Sequence, residues 1–102
     1  MDIPKLSVRE RLILELLADE EMFGLQLVEQ SNGALKRGTV YVTLGRMQDK
    51  GYVESWTETQ APGAIGLPRR LYRPTAYGVR VLAAWEAAAR AMRARPTKLR
   101  HA

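Results

Sequence analysis

At 102 residues the chain has material for one small core, so a single domain is expected, with a partner subunit the default source of extra buried surface. Its formal charge of +5 is lopsided: residues 1–35 hold three Lys/Arg against seven Asp/Glu, net −4, and residues 36–102 hold thirteen against four, net +9. With no cysteine there is no disulfide or thiolate zinc site, and Arg80, Glu86 and Arg90 interrupt the longest apolar-leaning stretch, Val79 to Met92, so no membrane span is expected.

Ser7-Val8-Arg9-Glu10 has the form of a capping box, in which hydroxyl and carboxylate each satisfy an otherwise orphan backbone donor, so a helix should follow. Val8, Leu12 and Leu16 on one line, with Ile13 and Leu17 beside it, predict an apolar face wider than one small core requires, part of it turned to a partner chain. Asp19-Glu20-Glu21 closes this helix. A second opens at Phe23-Gly24, driven by Leu25 and Val28 with Leu27 a lesser candidate, and ends near Ser31-Asn32-Gly33, where Asn-Gly signals a turn.

The cationic excess begins at a third helix, roughly Gly38 to Lys50. Val40, Leu44 and Met47 recur at i, i+4 and i+7 and form its core stripe. Thr39, Thr43, Arg46 and Lys50 make a second stripe beside it, Tyr41 and Gln48 lie on the other flank, and Val42, Gly45 and Asp49 point outward. Hydroxyls and cations can reach phosphates, and the methyls of Val or Thr can touch a thymine methyl. Lys36 and Arg37 stand at the mouth of the helix, whose N-terminus also attracts anions. Gly45 costs about 0.8–1 kcal/mol relative to alanine inside a helix, which points to close approach on that face or to a neutral substitution. Gly51 is placed for a left-handed C-terminal cap.

Tyr52 to Thr59 and Arg69 to Arg73 are expected to pair as an antiparallel hairpin. The prolines and glycines between Gln60 and Pro68 make its tip a protruding loop. Arg69 and Arg70 alternate across the strand, so at most one faces DNA and the other is a solvated edge charge; the sequence leaves open which. Pro74-Thr75 ends the strand and caps a last helix reaching about Ala94, with Gly78, Val81, Leu82, Trp85, Ala88, Ala89 and Met92 along one side. At about 1.5 Å per residue it spans on the order of 30 Å, long for so small a domain. Its apolar side therefore predicts a dimer interface made by Val81, Leu82, Trp85, Ala88 and Met92.

The expected fold is mainly α with a small β-hairpin: a winged helix-turn-helix over residues 1–74, a C-terminal dimerisation helix over 75–95 and a disordered basic tail over 96–102. In such a fold the third helix enters the major groove and the hairpin touches the backbone beside it. Several spaced motifs in this order resemble the PadR family of transcriptional regulators, of the short type with one C-terminal dimerisation helix. They are Phe23-Gly24-Leu25-Gln26-Leu27, Gly38-Thr39-Val40-Tyr41-Val42-Thr43-Leu44, Gly51-Tyr52-Val53-Glu54-Ser55, and Pro68-Arg69-Arg70-Leu71-Tyr72-Arg73-Pro74-Thr75-Ala76-Tyr77-Gly78. Two positions depart from the family pattern: Val42 stands where many members have proline, and Pro74 where leucine is common. The resemblance implies a cytoplasmic bacterial or archaeal repressor that binds a palindromic operator in double-stranded DNA as a homodimer. Some relatives release DNA on binding an aromatic compound.

Lys36, Arg37, Thr39, Tyr41, Val42, Thr43, Arg46, Arg69 and Arg70 are the candidate DNA-binding residues. Tyr41 offers either a hydroxyl for a phosphate or a ring that covers the core edge, and the resemblance favours contact. Two copies of Trp85 near a dimer axis could sandwich a small aromatic effector, although packing in a core or interface is the stronger reading of that side chain. His101 lies in the basic tail with no acidic or nucleophilic partner nearby, so no catalytic role, metal or cofactor is expected and the chain is not read as an enzyme. A winged helix can also serve as a protein-interaction module with an incidental basic surface, and salt-dependent binding to duplex DNA separates the two readings.

Overall fold

The computed structural model describes residues 3–59, 62, 63, 66 and 68–94; much of the expected loop tip and the whole of 96–102, His101 included, lie outside them. The elements run α1 (Val8–Leu17), β1 (Met22–Phe23), α2 (Gly24–Gln30), α3 (Arg37–Asp49), β2 (Val53–Thr57), β3 (Arg70–Pro74) and α4 (Ala76–Arg93). This is the expected helical fold with a wing, and one strand more. Met22 pairs with Tyr72 and Phe23 with Leu71, so the sheet has three antiparallel strands in the order β1-β3-β2 rather than two. A two-residue strand is too short to show alternation, and only its partner β3 defines it.

The capping box forms as expected: the Ser7 hydroxyl accepts from the Glu10 N–H at 3.1 Å, and the Glu10 carboxylate accepts from the Ser7 N–H at 2.8 Å. From α1, Ile13, Leu14 and Leu17 enter the core, where they meet Leu27 of α2, Val40, Leu44 and Met47 of α3, the sheet residues Val53 and Tyr72, and Val81 of α4. Leu27 is fully buried and Leu25 is exposed, the reverse of their weight in the sequence. Val8 is 86% exposed, so its line on α1 leaves the core at the N-terminal end.

Gly51 (φ +79°) ends the third helix in the left-handed region. From there Thr75 joins two helix ends. Its hydroxyl donates to the Gly51 carbonyl and accepts from the Gly78 N–H at 2.9 Å, so one side chain links the end of α3 to the start of α4. Gly78 lies directly on the Tyr52 carbonyl, where a Cβ would overlap the backbone. Pro74 is the last residue of β3, opposite Val53, instead of the break that ends the strand; at a strand end its missing N–H removes no interior ladder bond.

The interface expected on α4 falls in part on residues that this domain itself covers. Val81 is 3% exposed and belongs to this domain's own core, and Leu82 and Trp85 pack against the same cluster. Ala88 is half-buried and Met92 is 86% exposed. The first half of the helix thus packs on its own domain, α1 included, and among the described residues the exposed end is Arg90 to Arg93.

Candidate nucleic-acid interface

Helix α3 presents its N-terminal turn to solvent. Lys36 is the N-cap without a side-chain cap bond, and Lys36, Arg37, Gly38 and Thr39 are all exposed. No acidic side chain stands in that turn, so two cations reinforce the positive end of the helix dipole. One turn on, Tyr41 is half-exposed and Val42 is 60% exposed. Of the candidate residues on this helix and at its mouth, Lys36, Arg37, Thr39, Tyr41 and Val42 are thus open to solvent.

Thr43 does not join that face. It is buried, and its hydroxyl donates to the Thr39 carbonyl at 3.2 Å. The helical period places it beside Val40 and Met47, so the polar stripe expected at Thr39, Thr43, Arg46 and Lys50 breaks up. Lys50 bonds both oxygens of Glu10, at 2.8 and 3.1 Å. Arg46 is exposed on the side of α3 that borders a groove of about 340 Å³ lined with Lys5, Leu6, Ser7, Glu10, Lys50 and Trp85. Tyr41 borders a different groove, with Phe23, Leu25, Pro68, Arg69 and Arg70. The candidate residues therefore divide between two sides of one helix.

Glycine explains the pose of Tyr41. A Cβ on Gly24 would lie 2.5 to 2.6 Å from the Tyr41 ring and hydroxyl, so the absence of a side chain at the start of α2 makes the seat for that ring. No comparable neighbour exists at Gly45, where a Cβ would meet nothing within 4 Å. No described residue of the domain therefore approaches that position closely.

The sheet register separates the wing arginines. Met22, Val53 and Tyr72 point to the core, and period-two alternation puts Ser55, Thr57 and Arg70 on the same face. Arg69 continues the opposite face, with Phe23, Leu71, Trp56 and Arg73. There Arg69 pairs with Glu58 at 3.3 Å and stacks on Phe23, and Arg73 pairs with Glu54 at 3.0 Å and stacks on Trp56. Arg70 instead donates to Ser55. Its charge lies near the phenol of Tyr72, which burial pushes up and Arg70 pulls the other way.

Trp85 donates its indole N–H to the Pro4 carbonyl at 2.7 Å. The packing role of that side chain is therefore occupied, and one edge of the ring borders the groove with Arg46 and Lys50. Among the described residues there is no group of three His, Cys, Asp or Glu side chains able to hold a metal ion, and no helix is long and apolar enough to cross a membrane.

The PadR-like family of transcriptional regulators matches residues 13–84. Among solved structures, a PadR family transcription regulator from Clostridium difficile R20291 is 26% identical, with 84% of this chain and 91% of that one covered at a TM-score of 0.73. A PadR family regulator from Eggerthella lenta is 27% identical, covering 80% of this chain and 71% of that one at a TM-score of 0.67. Bacillus subtilis PadR, crystallised in complex with operator DNA, is 22% identical over 90% of this chain but only 51% of its own, with a TM-score of 0.71. No protein of curated function matches the chain.

Proposed function

Because this chain belongs to the PadR-like family of transcriptional regulators, we propose that it is a cytoplasmic repressor that binds a palindromic operator as a homodimer. The observation that carries this reading is the exposed first turn of α3, where Lys36 and Arg37 flank a helix N-terminus without a side-chain cap and lead directly to Thr39, Tyr41 and Val42. Lys36 and Arg37 would hold phosphates, Thr39 and Val42 would meet base edges, and Tyr41 would donate to the backbone beside them. Arg46 is a flanking contact, on the other side of the helix. The hairpin supplies a second contact through one arginine of the Arg69–Arg70 pair.

Residues 1–74 are assigned to DNA and the last helix to the second copy. Its last turns, from the half-buried Ala88 to the exposed Met92, and the exposed Val8 at the start of α1 are the apolar surfaces such a copy would cover. A small aromatic effector would stack on Trp85, through the ring alone, since the N–H is already engaged.

The test is affinity for random duplex DNA as salt is varied. A DNA binder gives a steep negative slope of log affinity against log salt, about 0.9 per phosphate held. Arg37→Ala should weaken binding to every sequence and flatten that slope by about one unit. A flat slope in the wild type would instead support a protein-interaction module.

A further inference from the structure

A chain of hydrogen bonds joins the wing to the third helix. Arg70 Nη1 donates to Ser55 Oγ at 3.0 Å, and Ser55 Oγ donates to Gln48 Oε1 at 3.1 Å. Chemistry fixes the direction. A guanidinium can only donate, so the serine oxygen accepts from it, and the one serine proton is left for the carbonyl oxygen of Gln48. Three elements, β3, β2 and α3, are thereby held in register by one hydroxyl.

The partners of the three neighbouring arginines differ in kind. Arg69 and Arg73 each have a carboxylate partner and a ring beneath them on the outer face of the sheet. Their charges are locally neutralised. Among the described residues Arg70 is paired with no carboxylate; its bond is to a neutral hydroxyl, on the face of the sheet that meets α3. A hydroxyl restrains a guanidinium without cancelling its charge, and the remaining N–H groups stay available to a second acceptor.

We infer that Arg70 is the wing's phosphate contact and that Ser55 is a positioning residue, which holds Arg70 and fixes the wing relative to α3 through Gln48. Arg69 is a strut that stiffens the outer face. The inference rests on the DNA-binding reading above and deepens it: Ser55 acts only through Arg70, and its contribution requires that arginine.

The experiment uses the full chain and a duplex selected by the wild-type protein from a random-sequence pool, titrated by fluorescence anisotropy at several salt concentrations. Arg70→Ala should lower the salt slope by about one unit. Ser55→Ala should weaken binding roughly three- to tenfold, the range of one hydrogen bond, with an unchanged thermal midpoint. Ser55→Thr, which keeps the hydroxyl, should restore wild-type affinity. On the Arg70→Ala background, Ser55→Ala should cost nothing further. Arg69→Ala should bind like the wild type. The inference is overturned by wild-type affinity in Ser55→Ala, by a Ser55→Ala loss that recurs in full without Arg70, as a general weakening of the fold would produce, or by Arg69→Ala costing more than Arg70→Ala. Absence of salt-dependent binding in the wild type overturns the DNA-binding reading with it, whereas intact wild-type binding with any of those three results overturns this inference alone.

Discussion

Glu10 is 2% exposed and ionised, and Lys50, forty residues away, is the reason it can be. Burial alone pushes the carboxyl up; the Lys50 hydrogen bonds, the Ser7 bonds and the Lys50 charge overcome that and hold it below its ordinary 4.5. A carboxyl with a lowered folded-state pKa stabilises fully above its unfolded value. That stability is lost as pH falls through 4.5 towards the lower folded-state value. Acid titration of thermal stability should therefore show a loss in that window which Glu10→Gln reduces. Lys50→Met leaves the carboxylate buried and unpaired, and should cost on the order of 1–3 kcal/mol at neutral pH, less than a fully buried pair because the lysine is one-third exposed. Equal stability of Lys50→Met and wild type in urea would show that water reaches the carboxylate. Gly24→Ala acts differently, since the atoms it meets are the far end of a movable ring. It should swing Tyr41 away at about 1–2 kcal/mol in stability and, on the proposed function, reduce DNA affinity as Tyr41→Ala should; unchanged affinity would mean that Tyr41 only covers the core edge.

Where α4 starts, side-chain and backbone contacts both restrain the chain. Thr75 caps it and reaches back to Gly51, and Gly78 allows the first turn to press on the Tyr52 carbonyl. A methyl at Gly78 meets backbone, which cannot swing aside. Gly78→Ala should cost about 2–4 kcal/mol, more than Gly24→Ala despite the identical change. Comparing the two midpoints in urea checks this, and a smaller loss at Gly78 would contradict the packing. Helix α3 has the opposite design: Val40, Leu44 and Met47 anchor one side, and Lys36, Arg37, Gly38 and Thr39 ahead of them are exposed. Substitutions at Lys36 or Arg37 should accordingly change binding without moving the midpoint.

The charge division follows the division of labour proposed for the whole molecule: residues 1–35, which hold α1 and α2, carry the acidic excess, and the basic excess begins at α3. The proposed homodimer places the end of α4 on a second copy, and the test must avoid the residues this domain needs for itself. Leu82→Glu would put a charge against its own core and confuse unfolding with dissociation. Met92→Glu, at an 86% exposed position, should leave the monomer folded and shift the protein to lower mass in sedimentation. Affinity for a palindromic site should fall with it, because two recognition helices held about 34 Å apart no longer act together. A Met92→Glu protein that sediments and binds like the wild type would move the interface elsewhere.

Local chemistry was legible in the chain: the Ser7–Glu10 box, the stop at Gly51, the Thr75 cap and the helical period of Val40, Leu44 and Met47 need only near neighbours. Those signals determined four helices, a wing and the face of α3 that reaches solvent. What depends on contacts between distant segments was decided by the tertiary structure. Strand β1 exists only because β3 lies beside it. Thr43 is buried because the core beneath α3 is wider than its apolar stripe, and Val81 belongs to its own domain because α1 reaches the start of α4. Which face of the sheet Arg69 and Arg70 each take turned on strand register, which pairing with β2 sets and which period-two alternation within β3 leaves undetermined.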